Sequence, residues 1–457
     1  MSAVCKIAML LLAGLSIVNQ FVPGNQMTVS FVAAIVVLVS GIWIMGSGFK
    51  KVTIGFLFIG ISLMVYFGQP FSVWVTGINY LTNVISILVI MQLFSVPIEV
   101  GKYDEAVRYW LTKSFKKEPG LFLFATLTTH IFSSFLLFGT IPVMVSLLGQ
   151  TLKLSVSNYE RFISAAISRG YALAVLWAPG AINLLLVVQA TEVGWTELFF
   201  PGLILSLIGI VTSWIIETKL VLTAKPILGD AFGAGVNQNQ AVAARKAGHI
   251  ILVVVGLVLI TVLFDKLNVG ASTGRVMLAG IIIVLVWSTA CLKQPDFKAN
   301  ILNYWRSGLL KAGDLAPLFI AMGLLATAVE KSGLLALVQP GLQELTNTMG
   351  VLAIIVLPVL MILGAVLGIH PFISIVLFGH VFTALALPVA PVSLALCLAL
   401  GGSISYIVSP FAGIVLTLAK FIKCRTVDIA LRWNWIYSLV FFVEGIAFSY
   451  FWGLFFG

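Results

Sequence analysis

Two widely separated parts of the chain carry the same set of chemically useful residues. His130, Phe132, Ser134, Leu137, Phe138 and Gly139 recur 240 positions later as His370, Phe372, Ser374, Leu377, Phe378 and Gly379. Only four histidines occur in 457 residues, and an imidazole in an apolar segment is costly unless it faces partners, water or a ligand. Imidazole titrates near neutral pH, so such a pair can move protons or contact an anion. The neighbouring hydroxyls of Ser133, Ser134 and Ser374 can donate to an oxyanion or coordinate a cation. Further along, Ala178-Pro179-Gly180 with Asn183, and Ser405 with Ser409-Pro410, interrupt apolar runs. Proline breaks a helix and leaves the ends on either side with unpaired N–H and C=O groups. N-terminal ends attract an anion and carbonyl ends a cation. The expected binding set is therefore His130, Ser133, Ser134, Pro179, Gly180, Asn183, His370, Ser374, Ser405, Ser409 and Pro410, with His130 and His370 as coupling residues.

The elements that must hold these residues are membrane helices. The chain is 60% hydrophobic and 9% charged, with a mean hydropathy of +1.13, which describes a polytopic membrane protein. Apolar spans fall at 7–23, 27–47, 52–68, 72–98, 119–150, 162–190, 198–216, 248–264, 275–292, 313–340, 349–387, 391–419 and 433–455. The spans 119–150 and 349–387 are too long for one crossing, and each is interrupted by its His/Ser/Gly cluster. Re-entrant hairpins satisfy both facts, because irregular backbone at depth is tolerated where protein or a water-filled cavity covers it.

Charge placement supports the hairpins independently. With the N-terminus in the cytoplasm and both long segments re-entrant, only Lys266, Arg275 and Lys331 fall outside, and Arg169 lies in or near the membrane. The other 22 of the 26 Lys and Arg residues fall inside, a strong positive-inside bias. Reading either long segment as a single crossing would invert everything after it. Topology and anionic inner-leaflet lipid then account for the net charge of +10, and nucleic acid is not an expected partner.

The expected fold is an all-α polytopic membrane protein of about 11 transmembrane helices, arranged as an inverted repeat with two re-entrant hairpins and two broken helices. A leading helix occupies 1–26, retained because no convincing cleavage site follows it. A first repeat spans 27–217, with hairpin 119–150 and broken helix 162–190; a second spans 248–457, with hairpin 349–387 and broken helix 391–419. The polar stretch 218–247 is the cytoplasmic linker between them. The C-terminus is then outside the cytoplasmic membrane. Arg169 reads as a snorkelling residue or an anion contact, and Glu444 as a scaffold or dimer contact.

Enzyme chemistry finds no support: there is no Walker-type loop, HExxH or GxSxG in a suitable context. Cys5, Cys291, Cys397 and Cys424 have no metal-ligand spacing. No cofactor or metal is expected beyond a coupling H+ or Na+.

The residues from Thr128-Thr129-His130 to Pro142, Arg169-Gly170, Trp177-Ala-Pro179-Gly180-Ala-Ile-Asn183, Trp195-Thr-Glu197 and Pro201-Gly202 resemble the first half of ion transporter superfamily permeases. That group includes divalent anion/sodium symporters and arsenite and citrate permeases. Gly364 to Pro388 and Gly401-Gly-Ser403-Ile-Ser405-Tyr-Ile-Val-Ser409-Pro410 are similar to its second hairpin and second broken helix. The resemblance implies an elevator-type secondary transporter, a homodimer, moving a small organic or inorganic anion. The family's symporters carry Ser-Asn-Thr motifs at the hairpins and breaks; this chain has histidines at the first and keeps only Asn183 at the second. Proton coupling is therefore weighed beside sodium coupling. The alternative is a channel or the membrane subunit of a tripartite, binding-protein-dependent transporter.

Overall fold

The computed structural model describes residues 2–22, 26–103, 106–107, 109–110, 117–136, 139–152, 156–222, 240–383 and 388–456. Among them the chain is helical throughout, with no strand. Among the described residues nine helices are long and apolar enough to cross a membrane, and Ser2–Val18 and Ile182–Thr191 are shorter apolar helices. The chain divides into two compact units, one comprising 1–101, 256–348 and 380–386, the other 102–255, 349–379 and 387–457.

The first unit is organised around the helix Ala316–Lys331, in which every residue from Ala316 to Ala328 is buried. Glycines let neighbouring helices approach it closely, the usual substitute for a hydrophobic drive between helices in lipid. A Cβ on Gly323 would lie 2.8 Å from the Gly77 carbonyl oxygen. Polar pairs complete the packing: Tyr304 donates to the Val89 carbonyl at 2.9 Å, and Lys6 to that of Arg306 at 2.9 Å. The span expected as one crossing at 72–98 is divided into Phe71–Asn79, Thr82–Gln92 and Ser95–Val100. Thr82 and Ser95 turn their hydroxyls back onto the carbonyls of Asn79 and Gln92, satisfying acceptors exposed at the two breaks.

The second unit runs twice through the order hairpin, broken helix, long helix. The first hairpin is Glu118–Leu136 and Thr140–Leu152, the first broken helix Tyr159–Ala174 and Ile182–Thr191, and the long helix Trp195–Leu220. The second hairpin is Val356–Val366 and Pro371–Thr383, the second broken helix Pro391–Val408 and Gly413–Ile422, and the closing helix Trp435–Phe456. The two ends of the first hairpin meet at its base. Glu118 accepts from the Ser157 backbone N–H at 2.6 Å and from its hydroxyl at 3.2 Å, 39 residues later.

The internal register differs from the one that the histidine match suggested. Ile182–Thr191 and Gly413–Ile422 are both ten residues long, and each ends at a left-handed residue, Glu192 at φ 59° and Lys423 at φ 62°. Start, end and cap are each 231 positions apart, as are Pro179 and Pro410. Under that register His370 corresponds to Gly139. His130 lies inside the first hairpin's leading helix, whereas His370 sits at the second hairpin's break. Pro371 accounts for the difference: a residue before proline is pushed out of the α region, and Gly368 takes φ 101° beside it. Residues 137 and 138 of the histidine match lie outside the described residues.

The linker placed at 218–247 is described only at its ends. Trp195–Leu220 continues into it, Gln240–Lys266 begins within it, and residues 223–239 lie outside the described residues.

Candidate functional site

All eleven residues expected at the site fall in the second unit. Both halves of the first broken helix meet the first half of the second, Pro391–Val408. Asn183 Nδ2 donates to the Ala399 carbonyl at 3.2 Å, and Ser403 Oγ to that of Ala172 at 2.5 Å. Tyr171 and Tyr406 meet edge to face, 5.8 Å between ring centres. Close approach is possible because Gly402 lies opposite Asn183, where a Cβ would overlap Asn183 Oδ1.

The first hairpin docks on the first broken helix. A Cβ on Gly170 would lie 2.7 Å from the Thr126 carbonyl oxygen, so the two backbones nearly touch. His130 completes this joint. Its Nε2 accepts from Trp177 Nε1 at 2.9 Å, and its Nδ1 lies 3.3 Å from the Gly170 carbonyl oxygen. Those partners define a neutral ring with the proton on Nδ1. Trp177, quoted in the sequence motif but not placed in the site, is thus the residue that His130 holds at the break.

The second hairpin docks on the second broken helix. The His370 ring stands 4.5 Å from Phe372 and 6.3 Å from Tyr406, and His370 Nδ1 accepts from the Phe372 N–H at 3.3 Å. That bond caps the start of Pro371–Thr383, satisfying a backbone donor left over at a helix N-terminus. Ser409 Oγ donates to the Ala365 carbonyl at 2.6 Å, tying the second break to the hairpin.

What remains is a set of side-chain oxygens with no protein partner. Ser133 Oγ, Asn183 Oδ1, Ser374 Oγ and Ser405 Oγ are all buried and unpaired. Buried polar atoms are almost always paired, so each is an exception. Asn183 lies on the first turn of the half-helix Ile182–Thr191, and neither that half-helix nor Gly413–Ile422 is capped at its start by a side chain. Ser134, by contrast, donates to its own helix at the Ile131 carbonyl, 2.7 Å away. Pro179, Gly180 and Pro410 lie in the breaks.

Arg169 lies elsewhere in the unit and is fully buried. Its guanidinium donates to Glu217 at 2.8 Å, Asn434 Oδ1 at 2.8 Å, the Trp433 carbonyl at 2.9 Å and Ser213 at 3.2 Å, and lies 4.6 Å above the Tyr437 ring. Arg161 makes two further bonds to Glu217 at 3.1 Å. Arg169 is therefore a clamp joining the first broken helix, the long helix and the closing helix; it neither snorkels nor faces a ligand. Glu444 accepts from Thr212 at 2.9 and 2.8 Å through its two oxygens, joining the long and closing helices. Among the described residues no cluster of His, Cys, Asp and Glu could hold a metal.

No protein-family model and no curated relative matches the sequence. Solved structures do match. The YdaH transporter of Alcanivorax borkumensis is similar over 83% of this chain and 88% of its own, at 14% identity and a TM-score of 0.59. MtrF of Neisseria gonorrhoeae, from a class of antimetabolite efflux pumps, is similar over 81% of each chain, at 13% identity and a TM-score of 0.56. With its paired hairpins and broken helices, this chain is a polytopic helical membrane protein with the fold of those two transporters.

Proposed function

We propose that the protein is a secondary active transporter that moves a small organic or inorganic anion across the cytoplasmic membrane, coupled to protons or sodium. The observation that carries the reading is the buried, unpaired Oδ1 of Asn183 on the first turn of the uncapped half-helix Ile182–Thr191, with further buried, unpaired oxygens at Ser133, Ser374 and Ser405 in the same unit. Hydroxyl donors and helix N-termini suit a carboxylate or oxyanion, and carbonyl and amide oxygens suit a cation. Placement of such groups on discontinuous helices is the arrangement by which secondary transporters bind substrate and ion together. The likeness in fold to transporters adds support.

In this reading the chain is an elevator-type member of the ion transporter superfamily, acts as a homodimer, and has no enzymatic activity. The unit bearing hairpins and broken helices carries the substrate. His370, at the second hairpin's break, is the group whose titration couples transport. His130 keeps Trp177 and the first break in place, since protonating its Nε2 would cost it the Trp177 bond. Uptake into vesicles containing the purified protein, across a panel of labelled anions under imposed pH or sodium gradients, tests the proposal. Specific transport of a cation or neutral solute, with no anion competing, would overturn it.

A further inference from the structure

The closing helix carries one acid that neither the Arg169 clamp nor the candidate binding set uses. Glu444 lies nine residues from Trp435 and twelve from Phe456, the ends of a helix long and apolar enough to span a membrane. At 1.5 Å per residue those ends are about 14 and 18 Å away, which puts the acid near the middle of a hydrocarbon core about 30 Å thick. The side chain is half-buried. Val440, Val443 and Ala447 share its face of the closing helix and are exposed. On the long helix Val211 and Ile215, beside Thr212, are exposed as well. The open side of Glu444 is therefore bordered by hydrocarbon.

Its surroundings select one form of the acid. Thr212 Oγ1 lies 2.9 and 2.8 Å from the two carboxyl oxygens. A hydroxyl has one proton to give and lone pairs that accept, so a second proton, on Glu444, makes both contacts hydrogen bonds in opposite directions. An ionised carboxylate would hold two charged oxygens against a single donor. Among the described residues no Lys, Arg or His pairs with it, and the basic groups on the elements around the closing helix are committed elsewhere: Arg161 and Arg169 to Glu217, and Arg425 and Arg432 to Asp428. Lys219 lies two turns along the long helix from Thr212. Tyr437, two turns back on the same helix, and Cys397 of Pro391–Val408, which meets Ser449, supply no positive charge. A bare charge at this depth is costly, and a neutral acid with a reciprocal partner is not.

We propose that Glu444 is a proton-binding site that faces the lipid: a carboxylic acid at neutral pH, paired with Thr212 and open to apolar carboxyl reagents. The proposal is independent of what the protein transports and of the role of His370. It is tested on the full chain reconstituted in phosphatidylcholine vesicles and treated with dicyclohexylcarbodiimide, the modified residue being located by peptide mass spectrometry. The acid's proton passes to a carbodiimide nitrogen while a carboxyl oxygen bonds to the central carbon, and the acyl group then shifts to the second nitrogen as a stable N-acylurea. At about pH 8 an acid in water such as Glu330, which is ionised, lacks that proton. Modification of Glu444 is expected to exceed that of Glu330 by at least about tenfold, following the protonated fraction of each. A water-soluble carbodiimide is expected to leave Glu444 untouched. Glu444→Gln removes the adduct and leaves thermal unfolding unchanged, because an amide also donates and accepts once each toward Thr212. No adduct at Glu444, equal modification of Glu330, equal reaction with the water-soluble reagent, or a lowered unfolding temperature in Glu444→Gln would overturn the site.

Discussion

His130 and His370 share a residue type and a set of neighbours in sequence, yet their surroundings assign them different work. His130 is held through both nitrogens, so glutamine, which also offers one acceptor and one donor, is expected to preserve the joint. His130→Gln should retain folding and most uptake, whereas His370→Gln should lower proton-driven uptake by at least about tenfold, or roughly 1.4 kcal/mol. Initial uptake rates under an imposed pH gradient decide this. Equal rates for His370→Gln and the unaltered protein would remove His370 from coupling, and a sodium dependence would then point to the oxygens around Asn183 and Ser405. Arg169 belongs at the same scale. Arg169→Met leaves Glu217 paired with Arg161 but takes the donor from Asn434 Oδ1 and the Trp433 carbonyl, at a cost of roughly 1–3 kcal/mol for each buried group left unpaired. Arg169→Met is therefore expected to lower thermal stability in detergent, measured by thermal unfolding, with unchanged stability removing Arg169 as a clamp.

Among the elements, the breaks carry the design. Gly402→Ala would push a methyl into Asn183 Oδ1 and force the broken helices apart, an overpacking cost of about 1–3 kcal/mol. Transport is expected to fall further than stability, because the displaced atom is one of the unpaired oxygens. Paired uptake and thermal unfolding measurements separate the two effects. Both breaks were legible in sequence because Pro179-Gly180 and Ser409-Pro410 state the local chemistry outright. The helix–break–helix segments were legible from the length of the two apolar runs. The internal register was not, since the match of His, Phe, Ser and Gly at 240 positions reflects composition shared by apolar segments. The true register of 231 is set by where helices stop, and the left-handed caps Glu192 and Lys423 are neither glycine nor asparagine. The clamp at Arg169 was equally hidden, since its partners Glu217 and Asn434 lie 48 and 265 positions away.

At the scale of the whole molecule, the distribution of Lys and Arg predicts a cytoplasmic N-terminus and both ends of the first hairpin in the cytoplasm. Single cysteines at Lys117 and Asn158, on a cysteine-free background, should react with an impermeant maleimide from the same side. Cysteine at Lys266 should react from the opposite side. Labelling of Lys117 and Asn158 from opposite faces would remove the first hairpin and the opposed orientation of the repeats. The two-unit division shows why binding residues and topology had to be read separately: all eleven candidates belong to one unit.

The clasp between Glu118 and Ser157 has a consequence for biosynthesis. A segment that enters and leaves on one face cannot be inserted by the stepwise threading that suits ordinary spans. Its leading helix also carries Thr126, Thr128, Thr129, His130, Ser133 and Ser134, all buried in the finished protein. Lipid offers these groups nothing. The ribosome has already made residues 118–157 before Gly170 and Trp177, the partners of His130, exist. Nascent hairpin must therefore wait at the membrane surface or beside the insertion machinery until the broken helix emerges to receive it. A truncated chain ending just after Ser157 and released from the ribosome should accordingly leave this segment accessible to protease, and one ending after Leu220 should protect it.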